Sequence, residues 1–249
     1  KNVDTAPPIV QSTTSQSQSQ SQSQSQMLSN ATKVLDEFFS THPPPADLAK
    51  NTEHIQDFLQ RFHGKVVCVS SGGTTVPLEK NTVRYIDNFS TGTRGATCAE
   101  IFLRHGYGVI FLTRPGSVQP FQRHCVNRLA DPSDFLNSLD VSGDSISLKP
   151  KPNAASKVFQ ALKEWQECRD RIIFIPFTSV VEYIYKLRLV TTSLQPVAKR
   201  AMIFSAAAVS DFYVPASQMA QHKMQSSAGP PEIMLTNVPK CLRVLRYLW

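Results

Sequence analysis

Apolar residues recur along this chain in two rhythms, and the change from one to the other predicts its elements. From Ala31 to Phe39, Val34, Leu35, Phe38 and Phe39 gather on one side of a short helix. His42-Pro43-Pro44-Pro45 ends it, because proline lacks an amide donor and fixes φ. A second helix is predicted over Ala46–Phe62, with Ile55, Phe58, Leu59 and Phe62 at i, i+3, i+4 and i+7. Lys65–Ser70 (KVVCVS) then runs continuously apolar and β-rich, the pattern of a strand buried on both faces of a parallel sheet. A polar loop leads to a helix near Arg94–Arg104 and a second buried strand at Gly108–Leu112, which together form a βαβ unit. Downstream, a helix over Ser156–Cys168 aligns Val158, Leu162 and Trp165, and a strand is expected at Ile172–Ile175. A helix over Val180–Val190 aligns Val180, Ile184 and Leu187, and Ala201–Val209 (AMIFSAAAV) reads as another buried strand. Alternating strands and helices predict an α/β fold: a doubly wound, mostly parallel sheet in a Rossmann-like three-layer arrangement.

Composition changes this picture mainly at the N-terminus. Residues 1–26 are low in complexity and end in six Ser-Gln pairs from Ser15 to Gln26. So polar a tract buries too little apolar surface to offset its ordering entropy, and disorder is expected. Transit peptides are rich in Arg, whereas the first Arg here is Arg61, so the expectation is a cytoplasmic protein. The organisation expected is a disordered lead over 1–30, N-terminal helices over 31–63 and an α/β domain over 64–249. Apolar runs such as Val109–Leu112 fall far short of the ~20 residues that span a bilayer, which argues against a membrane role. The formal charge of +7 is scattered and would suit phosphorylated ligands as well as nucleic acid. No zinc-finger spacing or interleaved aromatic–basic motif supports nucleic acid. The five cysteines form an odd set without a C-x-x-C pair, and Cys68 and Cys98 lie in apolar patterns, so a reducing compartment is the simpler assumption.

Three segments carry candidate chemistry. Ser71-Gly72-Gly73-Thr74-Thr75 follows the first buried strand, at the sheet edge where ligands bind in open α/β folds. Paired glycines let amide groups approach a phosphate, and they equally suit a tight turn. The loop is neither G-x-G-x-x-G nor a Walker sequence, so a dinucleotide site is not expected. The second segment, Arg84 to Gly95, places Asn88, Ser90, Gly92 and Gly95 just before or at a helix N-terminus, where an anion finds free N–H groups. Gly95, Ala96 and Ala99 also suit close helix–sheet packing. The third, Ala206 to Pro215, ends a strand in alanines that leave room for a ligand and sets Asp211 at the same edge, unless Asp211 is a cap. Lys223 lies twelve residues on, within reach of a triphosphate or merely a solvated charge.

Together these segments resemble phosphopantothenoylcysteine synthetase of the eukaryotic, single-function type. The resemblance lies in SGGTTVPLE (Ser71–Glu79), VRYIDNFSTGTRGA (Val83–Ala96), GYGVIFL (Gly106–Leu112), AAAVSDFYVP (Ala206–Pro215) and HKMQSSAGP (His222–Pro230), and it covers about Lys65 to Trp249. It implies a ligase of coenzyme A biosynthesis that joins 4′-phosphopantothenate to L-cysteine. A nucleoside triphosphate, ATP or CTP, activates the carboxylate as an acyl-nucleotidyl anhydride, with Mg²⁺ as the divalent cation and a homodimer as the assembly. By the same resemblance Gly72, Ser90, Gly92 and Gly95 contact the nucleotide, and Asn88 holds the pantothenate carboxylate. Ala207, Ala208 and Asp211 surround the reacting groups, and Lys223 stabilises phosphate charge. No protein side chain is expected as a metal ligand.

The family's pattern continues past the residue that matches Trp249 with a Phe-Lys-Leu-Glu strand and an Ala-Asn pair, so a fragment of the full enzyme is expected. That gap favours an alternative, a non-catalytic partner subunit that retains the fold, whereas Asn88, Asp211 and Lys223 favour the ligase. A Rossmann-type reductase is disfavoured by the missing G-x-G-x-x-G.

Overall fold

A computed structural model describes residues 26, 29–30, 32–124, 139–148, 154–225 and 229–242. Most of the expected disordered lead, and Cys125, lie outside the described residues. Internal contacts divide the chain into two units, residues 1–43 with 239–247, and residues 44–238 with 248–249. In the first, residues 32–41 are helical and the Phe38 ring stacks on His42 at 4.4 Å, just before Pro43.

The second unit holds the predicted sheet. Its elements are α1 (Leu48–Arg61), β1 (Val66–Ser71), β2 (Thr75–Pro77), β3 (Tyr85–Asp87), α2 (Thr93–Arg104), β4 (Gly108–Thr113), β5 (Leu139–Ser142) and β6 (Ser145–Leu148). There follow α3 (Ala154–Cys168), β7 (Ile172–Pro176), α4 (Val180–Leu194), β8 (Ala201–Ser205), β9 (Phe212–Tyr213) and β10 (Thr236–Asn237). The central sheet runs β7-β4-β1-β8 and every pair is parallel, with Val67 opposite both Val109 and Met202. β1 and β4 are buried at all six positions, which explains why their sequences show no alternation.

Side-chain parity divides the core. Val67, Val69, Val109, Phe111 and Ile172 join Ala96, Ala99 and Leu103 of α2 with Ala161 and Cys168 of α3 in one buried cluster. Alternate residues, among them Val66, Cys68, Ile110, Leu112 and Ile175, are equally buried on the opposite face. There α1 packs on α4 and β7, with Ile55, Phe58, Ile184 and Leu187 buried. The chain builds outward from β1 through β4 to β7, then crosses back to β8 on the other side of β1. This reversal is a topological switch point, and it lies between β1 and β8.

Most predicted boundaries shift by one or two residues, and two move by four. The strand expected over Ala201–Val209 ends at Ser205, because β1 turns away at Gly72 and only a Gly73–Ala208 bridge remains beyond it. α4 runs on to Leu194, since Val190, Thr191 and Leu194 are buried and the Thr191 hydroxyl donates to Leu187 O at 2.9 Å. Its start is capped on both sides: Ser179 Oγ accepts from Glu182 N, and the Glu182 carboxylate accepts from Thr178 N at 2.7 Å. The two-stranded sheets β2/β3, β5/β6 and β9/β10 have strands of two to four residues, too short to leave a period in the sequence.

Candidate active site

At the carboxyl end of β1 the chain turns through Gly72 at φ +91°, a conformation that side chains rarely adopt. Gly73 is needed for a different reason, because a Cβ there would lie 1.7 Å from the Asn88 carbonyl oxygen. Four bonds draw three distant segments together at this point. Thr74 N donates to Ala208 O (3.0 Å), Ala208 N to Gly72 O (2.8 Å), Asn88 N to Thr74 O (3.0 Å) and Ser210 N to Thr74 Oγ1 (2.9 Å). Ser70 Oγ also accepts from the amides of Ala206 and Ala207. Gly72, Asn88, Ala207 and Ala208 therefore meet at the switch point, and exposed Asp211 follows directly on Ser210.

The next wall is the start of α2. Gly92, at φ +80°, precedes it and accepts from Ser71 Oγ at 2.9 Å. Ser90 Oγ accepts in turn from Gly92 N. Gly95 is buried against β1: a Cβ there would meet Ser71 Oγ at 2.4 Å, so this glycine serves the close approach of helix to strand. α2 has no side-chain N-cap and no acid in its first turn. That turn carries Arg94, which donates to Ala206 O at 3.3 Å. A cation beside the positive end of a helix weakens the helix by itself, and an anion at that end relieves the conflict.

Sequence reasoning missed the loop after β4. Arg114 donates through its amide to Ser71 O, and through Nη1 to Gly73 O (3.3 Å) and Asp87 Oδ1 (2.5 Å). Ser117 fills the space left by Gly72 and Gly92. The available signal was position, a charged residue directly after a buried strand. Further along, Phe121 N, Arg123 and His124 all donate to Glu100 of α2, whose side chain is fully inaccessible. Burial opposes the charge of Glu100, but donation from Arg123, Phe121 N and His124 outweighs it and holds the carboxyl below its ordinary range.

Lys223 lies elsewhere. Its segment docks on the 79–84 loop, with Lys80 N bonded to Ala220 O, Asn81 N to Gln221 O and Arg84 Nη2 to Met224 O. With Arg84, Gln225 and Gly229 it lines an open cleft of about 400 Å³. Among the described residues no bond ties Lys223 to the glycine loop. Arg84 is oriented by Glu79, whose carboxylate it grips at 2.9 and 2.5 Å. The Arg84 guanidinium holds that carboxyl below its usual range. Glu79 itself is inaccessible to solvent.

Burial pushes the thiols of Cys68 and Cys168 up to about 12 and about 11, so neither is an activated nucleophile. Among the described residues no three of His, Cys, Asp and Glu gather as a metal cluster.

The chain is similar to known proteins in sequence and in fold. Residues 62–138, from the end of α1 through the glycine loop, α2 and β4, match the family described as DNA/pantothenate metabolism flavoprotein C-terminal domain. Phosphopantothenate–cysteine ligase 2 of Oryza sativa subsp. japonica is 40% identical over 224 residues, covering 86% of this chain and 68% of that protein. The Homo sapiens phosphopantothenate–cysteine ligase is 41% identical over 216 residues, covering 83% of this chain and 68% of its own length. A solved structure of a Cab2 variant in complex with phosphopantothenate-cysteine superposes with a TM-score of 0.74 at 38% identity, over 84% of this chain and 70% of that one. Identity of this level across two thirds of the relatives' length, on a shared fold, means that the chain belongs to the phosphopantothenate–cysteine ligase family.

Proposed function

We propose that this chain joins 4′-phosphopantothenate to L-cysteine in coenzyme A biosynthesis, with a nucleoside triphosphate as the activating cosubstrate. The observation that carries the reading is 40% identity to a phosphopantothenate–cysteine ligase over 86% of the chain. The chemistry has two steps. A carboxylate oxygen of phosphopantothenate attacks the α-phosphorus of the nucleotide and pyrophosphate leaves, which gives an acyl-nucleotidyl anhydride. The cysteine amine then attacks the acyl carbon, the nucleoside monophosphate leaves, and the amine proton passes to solvent.

Each residue has a place in that scheme. The Asn88 carboxamide, which bonds to no other described residue, donates to the substrate carboxylate and to the anhydride formed from it. Gly72, Ser90 and Gly92 let the nucleotide approach the backbone at the uncapped start of α2, and Gly95 brings that helix to the strand. Ala207 and Ala208 leave space for the reacting groups, and Asp211 borders them. Lys223, together with Arg84, offsets charge on phosphate groups. Acyl transfer between anions depends on positioned donors and cations rather than on a covalent nucleophile. Mg²⁺, when bound, neutralises charge on the phosphates. Its ligands would be mainly phosphate oxygens and water.

The full assignment also has the protein cytoplasmic, homodimeric and a user of ATP or CTP. Light scattering on the purified chain tests the dimer. Incubation with phosphopantothenate, cysteine, Mg²⁺ and either nucleotide tests the reaction. Pyrophosphate release that requires phosphopantothenate, with phosphopantothenoylcysteine as product, is expected. Its absence with both nucleotides overturns the proposal.

A further inference from the structure

We infer that Arg114 and Asp87 form a positioning staple that fixes the distance between the glycine loop and Asn88. This rests on the ligase reading above. It is carried by bonds that the scheme above leaves unused. Arg114 reaches the glycine loop twice, from its amide to Ser71 O at 3.2 Å and from Nη1 to Gly73 O at 3.3 Å. The same nitrogen donates to Asp87 Oδ1 at 2.5 Å, one residue before Asn88. One guanidinium nitrogen thus spans the two segments that must hold nucleotide and carboxylate in register. Arg114 is largely covered, its side chain 19% exposed, while Asp87 stands at the surface with its side chain 34% exposed, so the Arg114 end of the pair is shielded and the Asp87 end meets water. Arg114 is itself held at the end of β4, and its loop is fixed at the far side by Val118 N bonding to Thr91 O at 2.8 Å. Gly73 and Asn88 O are in close approach, so a small shift of either segment alters their register.

Loss of the staple leaves the sheet intact and leaves the Asn88 N–Thr74 O bond as the remaining backbone tie, so Gly72–Thr74 loosens against Asn88. Displacement of about 1 Å between groups that must meet in line costs on the order of 10²-fold in rate. Arg114 acts on the loops rather than on the reacting atoms, so turnover should fall without a matching change in affinity for cysteine.

The test compares Arg114→Ala, Arg114→Lys, Asp87→Ala and the double alanine variant with the full chain, by steady-state kinetics and by residue-resolved amide exchange without ligands. Arg114→Ala should lower kcat on the order of 10²-fold and leave the KM for cysteine within about 2-fold. Arg114→Lys should recover part of the loss, because an ammonium keeps the charge without the planar fork. The double variant should be no worse than the worse single variant, as expected of two groups that act through one contact. The amides of Thr74 and Asn88 should exchange about 10-fold faster, while those of β1 and β4 stay protected. Acceleration across the whole sheet overturns the inference in favour of general destabilisation. A loss of kcat with Thr74 and Asn88 exchange unchanged overturns it in favour of direct contact with substrate, and losses that multiply in the double variant overturn the pairing. A full chain without ligase turnover sinks the proposed function, while the exchange measurements still decide the staple.

Discussion

Gly73 sets the tightest contact in the site, and the sequence showed only that a glycine stood there. A methyl group at this position would sit 1.7 Å from Asn88 O, so Gly73→Ala must displace backbone. Overpacking of this kind costs about 1–3 kcal/mol, and for a domain of this size each kcal/mol lowers Tm by about 2–4 °C. Gly106→Ala is the control: at φ +78° with open space around it, only conformational strain opposes the methyl group, and activity should survive. Asn88→Ala should remove most of the overall reaction with the fold retained, and unchanged turnover by that variant would refute its role. The glycine loop was legible because paired glycines after a buried strand have few explanations. Arg114 was not, because its acceptors lie 27 and 41 positions away and no local pattern links them.

The elements themselves follow the rhythms read in the sequence, and their failures are instructive. Glu100 shares the buried face of α2 with Ala96, Ala99 and Leu103, an unusual place for a carboxylate, and its inaccessible side chain is bonded to Arg123, Phe121 N and His124. Only tertiary structure supplies those donors. Glu100→Ala should cost about 3–5 kcal/mol, because it leaves Arg123 and an amide without their acceptor; urea unfolding would measure it. The pH dependence follows from the lowered carboxyl of the folded state. Its contribution is present above the ordinary carboxylate range, where both states are ionised, and is lost as pH falls through that range toward the folded value. Acid unfolding of Glu100→Gln should therefore be less steep than that of the parent chain, and an identical slope would exclude Glu100 as a source. The start of α2 presents the same lesson: its small residues were legible, but its missing cap and the Arg94 contact with Ala206 O were not.

For the whole molecule, the parallel order β7-β4-β1-β8 turns four separate loops into one site at the edge between β1 and β8. Lys223 lies apart from it, on a segment docked to the 79–84 loop beside Arg84, and only the proposed function brings it to the phosphates. Lys223→Ala should lower kcat/KM for the nucleotide by about 10-fold or more while leaving thermal stability unchanged, since the side chain is exposed. A nucleotide kcat/KM within 2-fold of the parent would remove Lys223 from the phosphate site. The sequence by itself determined the α/β class, the buried strands, the glycine loop and the family resemblance, because continuous apolar runs and long motifs are properties of neighbouring residues. The tertiary structure alone decided that Arg114 joins Gly73 to Asp87, that Glu100 is buried, that β8 stops at Ser205 and that Gly95 lies against Ser71. Each of those depends on which distant segments the sheet order brings together, and one chain read in order carries no record of that.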